Sequence, residues 1–164
     1  MGSVIPLKKE VENSYLELKN LVGNKLEEVN LQIKYKLASE INLIHKMVNY
    51  YLKSGGKRIR PLLTLGSAKL CGYVNGNRDV NLAACVELIH SATLLHDDVI
   101  DASNLRRGNK TSNSIWGNQS SILVGDYLFS RCFEMMVEDG SQEILKLLSY
   151  TSSKIAQGEV QQLE

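Results

Sequence analysis

Proline is nearly absent: the 164 residues hold two, at positions 6 and 61. With so few helix breakers, and with apolar residues after position 7 recurring at helical rather than alternating spacing, the chain is expected to be all-α. A disulfide framework is excluded, because Cys71, Cys85 and Cys132 are far apart and form no CxxC; they are read as buried or half-buried free thiols, suited to a reducing cytosol. No apolar run approaches the roughly 18 residues that span a bilayer. The start, MGSVIPLKKEVENSY, lacks the apolar core of a signal peptide, and Pro6 stands where a myristoylation motif after Gly2 needs Ser or Thr. Charge of one sign is missing too. The 19 basic and 18 acidic residues leave a net +1, so no global field draws the chain to nucleic acid or an anionic membrane. Repeats, low-complexity tracts and linkers are absent, and a single cytoplasmic domain is expected.

Turn residues divide the chain. One helix is expected over Leu7–Val22, broken by Gly23-Asn24, and a second over Lys25–Leu52, itself divided near Ala38–Asn42. The turn SGG at 54–56 leads into KRIRPLLTLGSAKLCG, where Pro61 suits a first helical turn. GYVNGNRD reads as a loop. NRDVNLAACVELIHSATLLHDDVIDAS reads as a long helix, apolar almost all round, which places it at the centre of a bundle. NLRRGNKTSNS is read as a polar loop, SILVGDYLFSRCFEMMVE as an apolar helix, DGS as a break, and QEILKLLSYTSSKIAQGEVQQLE as a last helix without a stop signal.

What is present concentrates at LLHDDVIDASNLRRGNK. Three aspartates and two arginines fall within residues 97–107, directly after an apolar segment, a costly arrangement unless a ligand or metal uses it. Asp97 and Asp101 are i and i+4, about 40° apart around the helix axis, so their carboxylates share a face. Two acids that close repel unless a cation lies between them, and all-oxygen ligands suit Mg²⁺. Asp98 is offset by about 100° and is better placed in support. Arg106 and Arg107 follow on a loop able to fold back over the acids. Lys57, Arg58 and Arg60 form a second basic cluster behind a Gly-Gly turn, where backbone N–H groups and cations could surround an anion. His90, seven residues before Asp97, lies about 20° from the same face, two turns deeper. His96 and His45 are read as ordinary packing or surface residues.

Together GGKRIRP, ELIHSATLLHDDVIDASNLRRG and GDYLF resemble successive signatures of the trans-type isoprenyl (polyprenyl) diphosphate synthases, over roughly residues 30–164. The resemblance implies a bundle of long helices around a deep cavity, and the condensation of an allylic prenyl diphosphate with isopentenyl diphosphate. It implies that Asp97 and Asp101 ligate Mg²⁺ bridging the allylic diphosphate with Asp98 in support, that Arg106 contacts that diphosphate, and that Lys57, Arg60, His90 and Arg107 hold the diphosphate of isopentenyl diphosphate. It also implies a homodimer for the full-length form.

Product length is expected from the residues below the acids. Thr93 lies one turn deeper than Asp97 with Ala92 beside it, both small, where short-chain members resembling farnesyl diphosphate synthase carry aromatics. SATLLHDD resembles the long-chain, quinone side-chain class, and an octaprenyl-like product is expected. The sequence departs from the family pattern after AQGEVQQLE, where a second aspartate-rich motif would follow; Glu159 and Gln162 are the remaining polar candidates to face the cavity. The 164 residues are therefore expected to be the N-terminal part of a synthase domain, weakly active or inactive alone. Two rivals stand beside this reading. His96-Asp97 would suit a metal-dependent phosphohydrolase, but that leaves GGKRIRP and RRG without a purpose. A synthase-like chain could also serve as a non-catalytic subunit packed on a full-length partner.

Overall fold

The structure, a computed structural model, describes residues 7–53 and 56–163, with side chains from residue 13 onward. Gly2, Pro6 and the Ser54-Gly55 part of the expected turn lie outside the described residues. Among those described there are eight helices and one small hairpin: α1 (Leu7–Val22), α2 (Lys25–Lys36), α3 (Asn42–Lys53), α4 (Ile59–Leu70), α5 (Arg78–Ile100), β1 (Leu105–Arg106), β2 (Asn109–Lys110), α6 (Ser112–Trp116), α7 (Asn118–Asp139) and α8 (Gln142–Gln161). No helix among them is long and apolar enough to cross a membrane.

The breaks have local causes. Gly140 ends α7 in the left-handed region (φ 73°), where glycine carries no Cβ penalty, and the Ser141 hydroxyl then accepts the Ile144 N–H at 3.3 Å to cap α8. Helix α5 is apolar around its circumference because it is surrounded: it packs on α7, α4 and α2. Leu88, Ala84, Cys85 and Ala92 of α5 meet a core that includes Leu62 of α4, Ile33 of α2, and Leu128 and Met136 of α7. Helix α8, by contrast, has no buried residue.

Three expectations need correction. The long helix ends at Ile100, with Asp101 as its C-cap. The polar stretch 104–114 is not simply a loop: it holds the β1–β2 hairpin and the start of α6, elements too short to carry a readable period. Cys71 is exposed, because it caps the C-terminus of α4; Cys85 and Cys132 are buried and unpaired by disulfide.

Candidate functional site

The C-terminal end of α5 distributes its acids in two directions. Asp97 lines a cavity of about 440 Å³ between α5 and α8, whose walls include Val86, Ile89 and Thr93 from α5 and Leu148, Thr151 and Ile155 from α8. The Asp101 N–H bonds the Asp97 carbonyl at 2.8 Å, so the helical turn continues through the cap and keeps the two acids one turn apart. Asp98 is buried, away from that cavity, and receives Arg106 Nε at 2.9 Å and Nη2 at 2.8 Å on one oxygen. Arg106 thus lies on Asp98 in this structure, beside a smaller cavity of about 70 Å³ beneath the hairpin.

The hairpin sets the direction of both arginines. Arg106 pairs with Asn109, and the two residues between them, Arg107 and Gly108, have φ of 53° and 79°, the positive-φ pair of a type I′ turn that matches strand twist. Arg106 therefore points down onto α5 while Arg107 sits at the tip. There its guanidinium lies against Gly56: a Cβ at that glycine would stand 2.7 Å from Arg107 Nη1. The two basic clusters, 50 residues apart in sequence, meet here. They line a cavity of about 520 Å³ with Lys57, Arg60, His90 and Arg107 in its wall. The hairpin is held in place by side chains that the sequence reading missed. Tyr50 donates to the Lys110 carbonyl at 2.6 Å, Thr111 to the Ser103 carbonyl at 2.7 Å, and Asn113 to the carbonyls of Asp98 and Ser103 at 3.0 Å each.

Arg60 and His90 line both larger cavities, so the basic chamber opens beside the mostly apolar one. His90 is pushed below its usual pKa, first by burial and then by Arg60, so at neutral pH it offers a neutral N–H donor. Thr93 directs its hydroxyl to the His90 carbonyl at 2.8 Å; its hydrogen-bonding need is met by its own helix. Ala92, expected beside Thr93, is fully buried in the core and is not in the cavity wall. Glu159 of α8 does face the cavity, whereas Gln162 caps α8 and is exposed. His96 turns onto α7, its ring bonding the Ile122 carbonyl at 3.1 Å and lying across Gly125. His45 is exposed and bonds Asn49, which leaves the phosphohydrolase reading without a ligand set.

The acids are crowded. Asp97 is raised above the usual carboxylate range by burial and then by Asp101, and Glu159 by burial and then by Asp97. Hard oxygen donors whose charges oppose one another are what a divalent cation relieves, so the donor set fits Mg²⁺. Among the described residues no three acids, histidines or cysteines form a complete cage; Mg²⁺ typically needs only one or two carboxylates, with water and phosphate oxygens as its other ligands.

Residues 41–164 match the family described as polyprenyl synthetase. The chain belongs to that family. Octaprenyl diphosphate synthase of Escherichia coli (strain K12) is 44% identical over 147 residues, covering 90% of this chain and 45% of that protein. Among solved structures, a decaprenyl diphosphate synthase from Rhodobacter capsulatus superposes with a TM-score of 0.85 at 44% identity, over 91% of this chain and 46% of that one. A polyprenyl synthase from Caulobacter crescentus CB15, complexed with calcium and isoprenyl diphosphate, gives 0.86 at 44% identity, over 91% and 45%. The chain spans about half the length of the curated relatives it matches. As a polyprenyl synthetase family member it has the all-α isoprenoid synthase architecture expected from its sequence.

Proposed function

We propose that this chain carries the substrate-binding elements of a prenyltransferase that joins an allylic prenyl diphosphate to isopentenyl diphosphate and makes a long-chain trans product. The observation that carries the reading is the shared wall of the two cavities. Arg60 and His90 border a basic chamber on one side and, on the other, an apolar chamber rimmed by Asp97. One anion and one prenyl tail with its own anionic head can then lie side by side.

In this reading Lys57, Arg60, His90 and Arg107 hold the diphosphate of isopentenyl diphosphate. Asp97 and Asp101 hold Mg²⁺, with Asp98 and Arg106 in support and Glu159 facing Asp97. Bound Mg²⁺ would neutralise charge on the departing diphosphate of the allylic substrate. As the allylic C–O bond breaks, charge grows on the leaving group, and Arg106, which lies on Asp98 in this structure, would stabilise that state more than the ground state once turned toward it. The isopentenyl double bond attacks the allylic carbon, and the released diphosphate takes the proton lost as the alkene is restored. Val86, Ile89, Leu148 and Ile155 keep water from that carbon. Thr93 leaves room for a growing chain, and the long-chain names of the relatives support an octaprenyl-like product.

Isothermal titration of this chain with farnesyl diphosphate should show heat that depends on Mg²⁺ and is lost in Asp97→Ala/Asp101→Ala. Binding that ignores both the metal and the substitutions rejects the reading. A non-catalytic subunit is the second reading, favoured by the exposed Phe133 and Val137 of α7 and Leu147 of α8, a surface that a second copy or a full-length partner would cover. Sedimentation with and without a full-length homologue separates the two arrangements.

A further inference from the structure

Glu87 occupies a surprising position for a chamber that takes anions. It is the single acid in the apolar run AACVELIH of α5, it is buried, and it lines the basic cavity beside His90 and Arg60. An uncompensated carboxylate there would repel a diphosphate across a poorly solvated gap.

Arg58 answers that charge. Its Nη1 lies 2.6 Å from Glu87 Oε1, and the two side chains are only 8% and 6% exposed. The same nitrogen donates to the Tyr51 hydroxyl at 2.9 Å, and that hydroxyl donates to the same Glu87 oxygen at 3.0 Å. The Tyr51 ring lies beside the guanidinium, with the Arg58 Cζ 5.1 Å from its centroid. Arg58 is also a non-glycine residue in the left-handed region (φ 48°, ψ 41°), immediately before α4. A strained backbone of this kind persists where surrounding contacts over-determine it, and the buried triad supplies those contacts. Its neighbours Lys57 and Arg60, on either side of the reversal, are exposed toward the cavity. Arg58 borders the same cavity, but its guanidinium is engaged by Glu87 and Tyr51, whereas Lys57 and Arg60 stand exposed beside it.

We propose that Arg58 is a positioning residue for the diphosphate chamber: paired with Glu87 and Tyr51, it cancels the one negative charge in the wall beside Lys57 and Arg60. The proposal rests on reading this chamber as an anion pocket. It differs from a direct contact in one consequence, that the effect of losing Arg58 depends on whether Glu87 still carries charge.

The test is the affinity of the whole chain for inorganic diphosphate by isothermal titration without metal, on Arg58→Met, Glu87→Gln and the double variant, each checked for helicity by circular dichroism. Leaving Glu87 charged and unpaired in Arg58→Met should weaken binding about thirtyfold or more. Glu87→Gln alone, and Arg58→Met/Glu87→Gln, should bind within about threefold of the unaltered chain. If Arg58→Met does not fold, the other two variants still decide. A double variant that binds as poorly as a chain stripped of a ligand contact, or an Arg58→Met that binds normally, overturns the proposal while leaving the anion pocket standing. An unaltered chain that takes up no diphosphate overturns the pocket, and this proposal with it.

Discussion

Thr93 and Ala92 are neighbours of similar size, yet the fold gives them opposite surroundings. Thr93 borders the cavity below Asp97, while Ala92 is enclosed in the α5 core. Phenylalanine at position 93 therefore projects into open space of about 440 Å³. It should weaken binding of a long-chain prenyl diphosphate by tenfold or so relative to farnesyl diphosphate, with little change in urea midpoint. Ala92→Phe forces a ring into filled space and should lose about 1–3 kcal/mol of stability, read from urea unfolding, with no comparable change in that affinity ratio. If Ala92→Phe shifts the ratio and leaves stability intact, the division of roles is wrong. The sequence places both residues above the same stretch of helix. It does not say which side faces α7, because α5 is apolar on every side.

At the scale of elements, the sequence makes α1, α2, α3, α4, α5, α7 and α8 legible through turn residues between periodic runs, the division expected near Ala38–Asn42 falling between α2 and α3. The GDYLF segment shows why one of those residues is small. Gly125 lies mid-helix in α7, where a Cβ would meet the imidazole of His96. Gly125→Ala should cost about 1–3 kcal/mol through this clash, and His96→Ala should relieve it, so a double-mutant cycle in urea should return a favourable coupling; additive losses would show that the ring does not fill that space. The hairpin was not legible, since two strands of two residues have no period and the type I′ turn places Arg107 rather than Asn or Asp at its first central position. Glu87 was overlooked for a different reason: a lone acid in an apolar helix signals a buried partner, but only the fold shows that the partner is Arg58, across 29 residues. Helix α8 is legible as a helix and deceptive as a core element, because none of its residues is buried. Amide hydrogen exchange should rank α5 as most protected and α8 as least, with α8 opening well below the global unfolding free energy. Equal protection in the two helices contradicts that order.

For the whole molecule, the two ends of α5 handle charge in opposite ways. At its N-terminal end Arg78 forks onto Asp139 of α7 at 2.6 and 2.8 Å, and Lys25 of α2 pairs with Asp79. Asp139 is held below the usual carboxylate range, chiefly by that arginine; its contribution to stability is present above the ordinary range and is lost as pH falls through the lowered value. At the C-terminal end Asp97 and Glu159 are raised. The native state then binds their protons more tightly than the unfolded chain does, so stability is fully present below the ordinary carboxylate range and declines as pH rises through the raised values. The two carboxylates left raised, Asp97 and Glu159, border the candidate site, as expected where a cation completes the set. With Mg²⁺ and inorganic diphosphate at a hundred times the apparent dissociation constant, mass action should raise the thermal midpoint at neutral pH by about 5–10 °C. The increment should fade as pH is lowered through the raised value of Asp97, because protons and the cation compete for its carboxylate. Calorimetry that finds an increment independent of pH, or undiminished in Asp97→Asn/Asp101→Asn, removes those acids from the site and leaves their crowding unexplained.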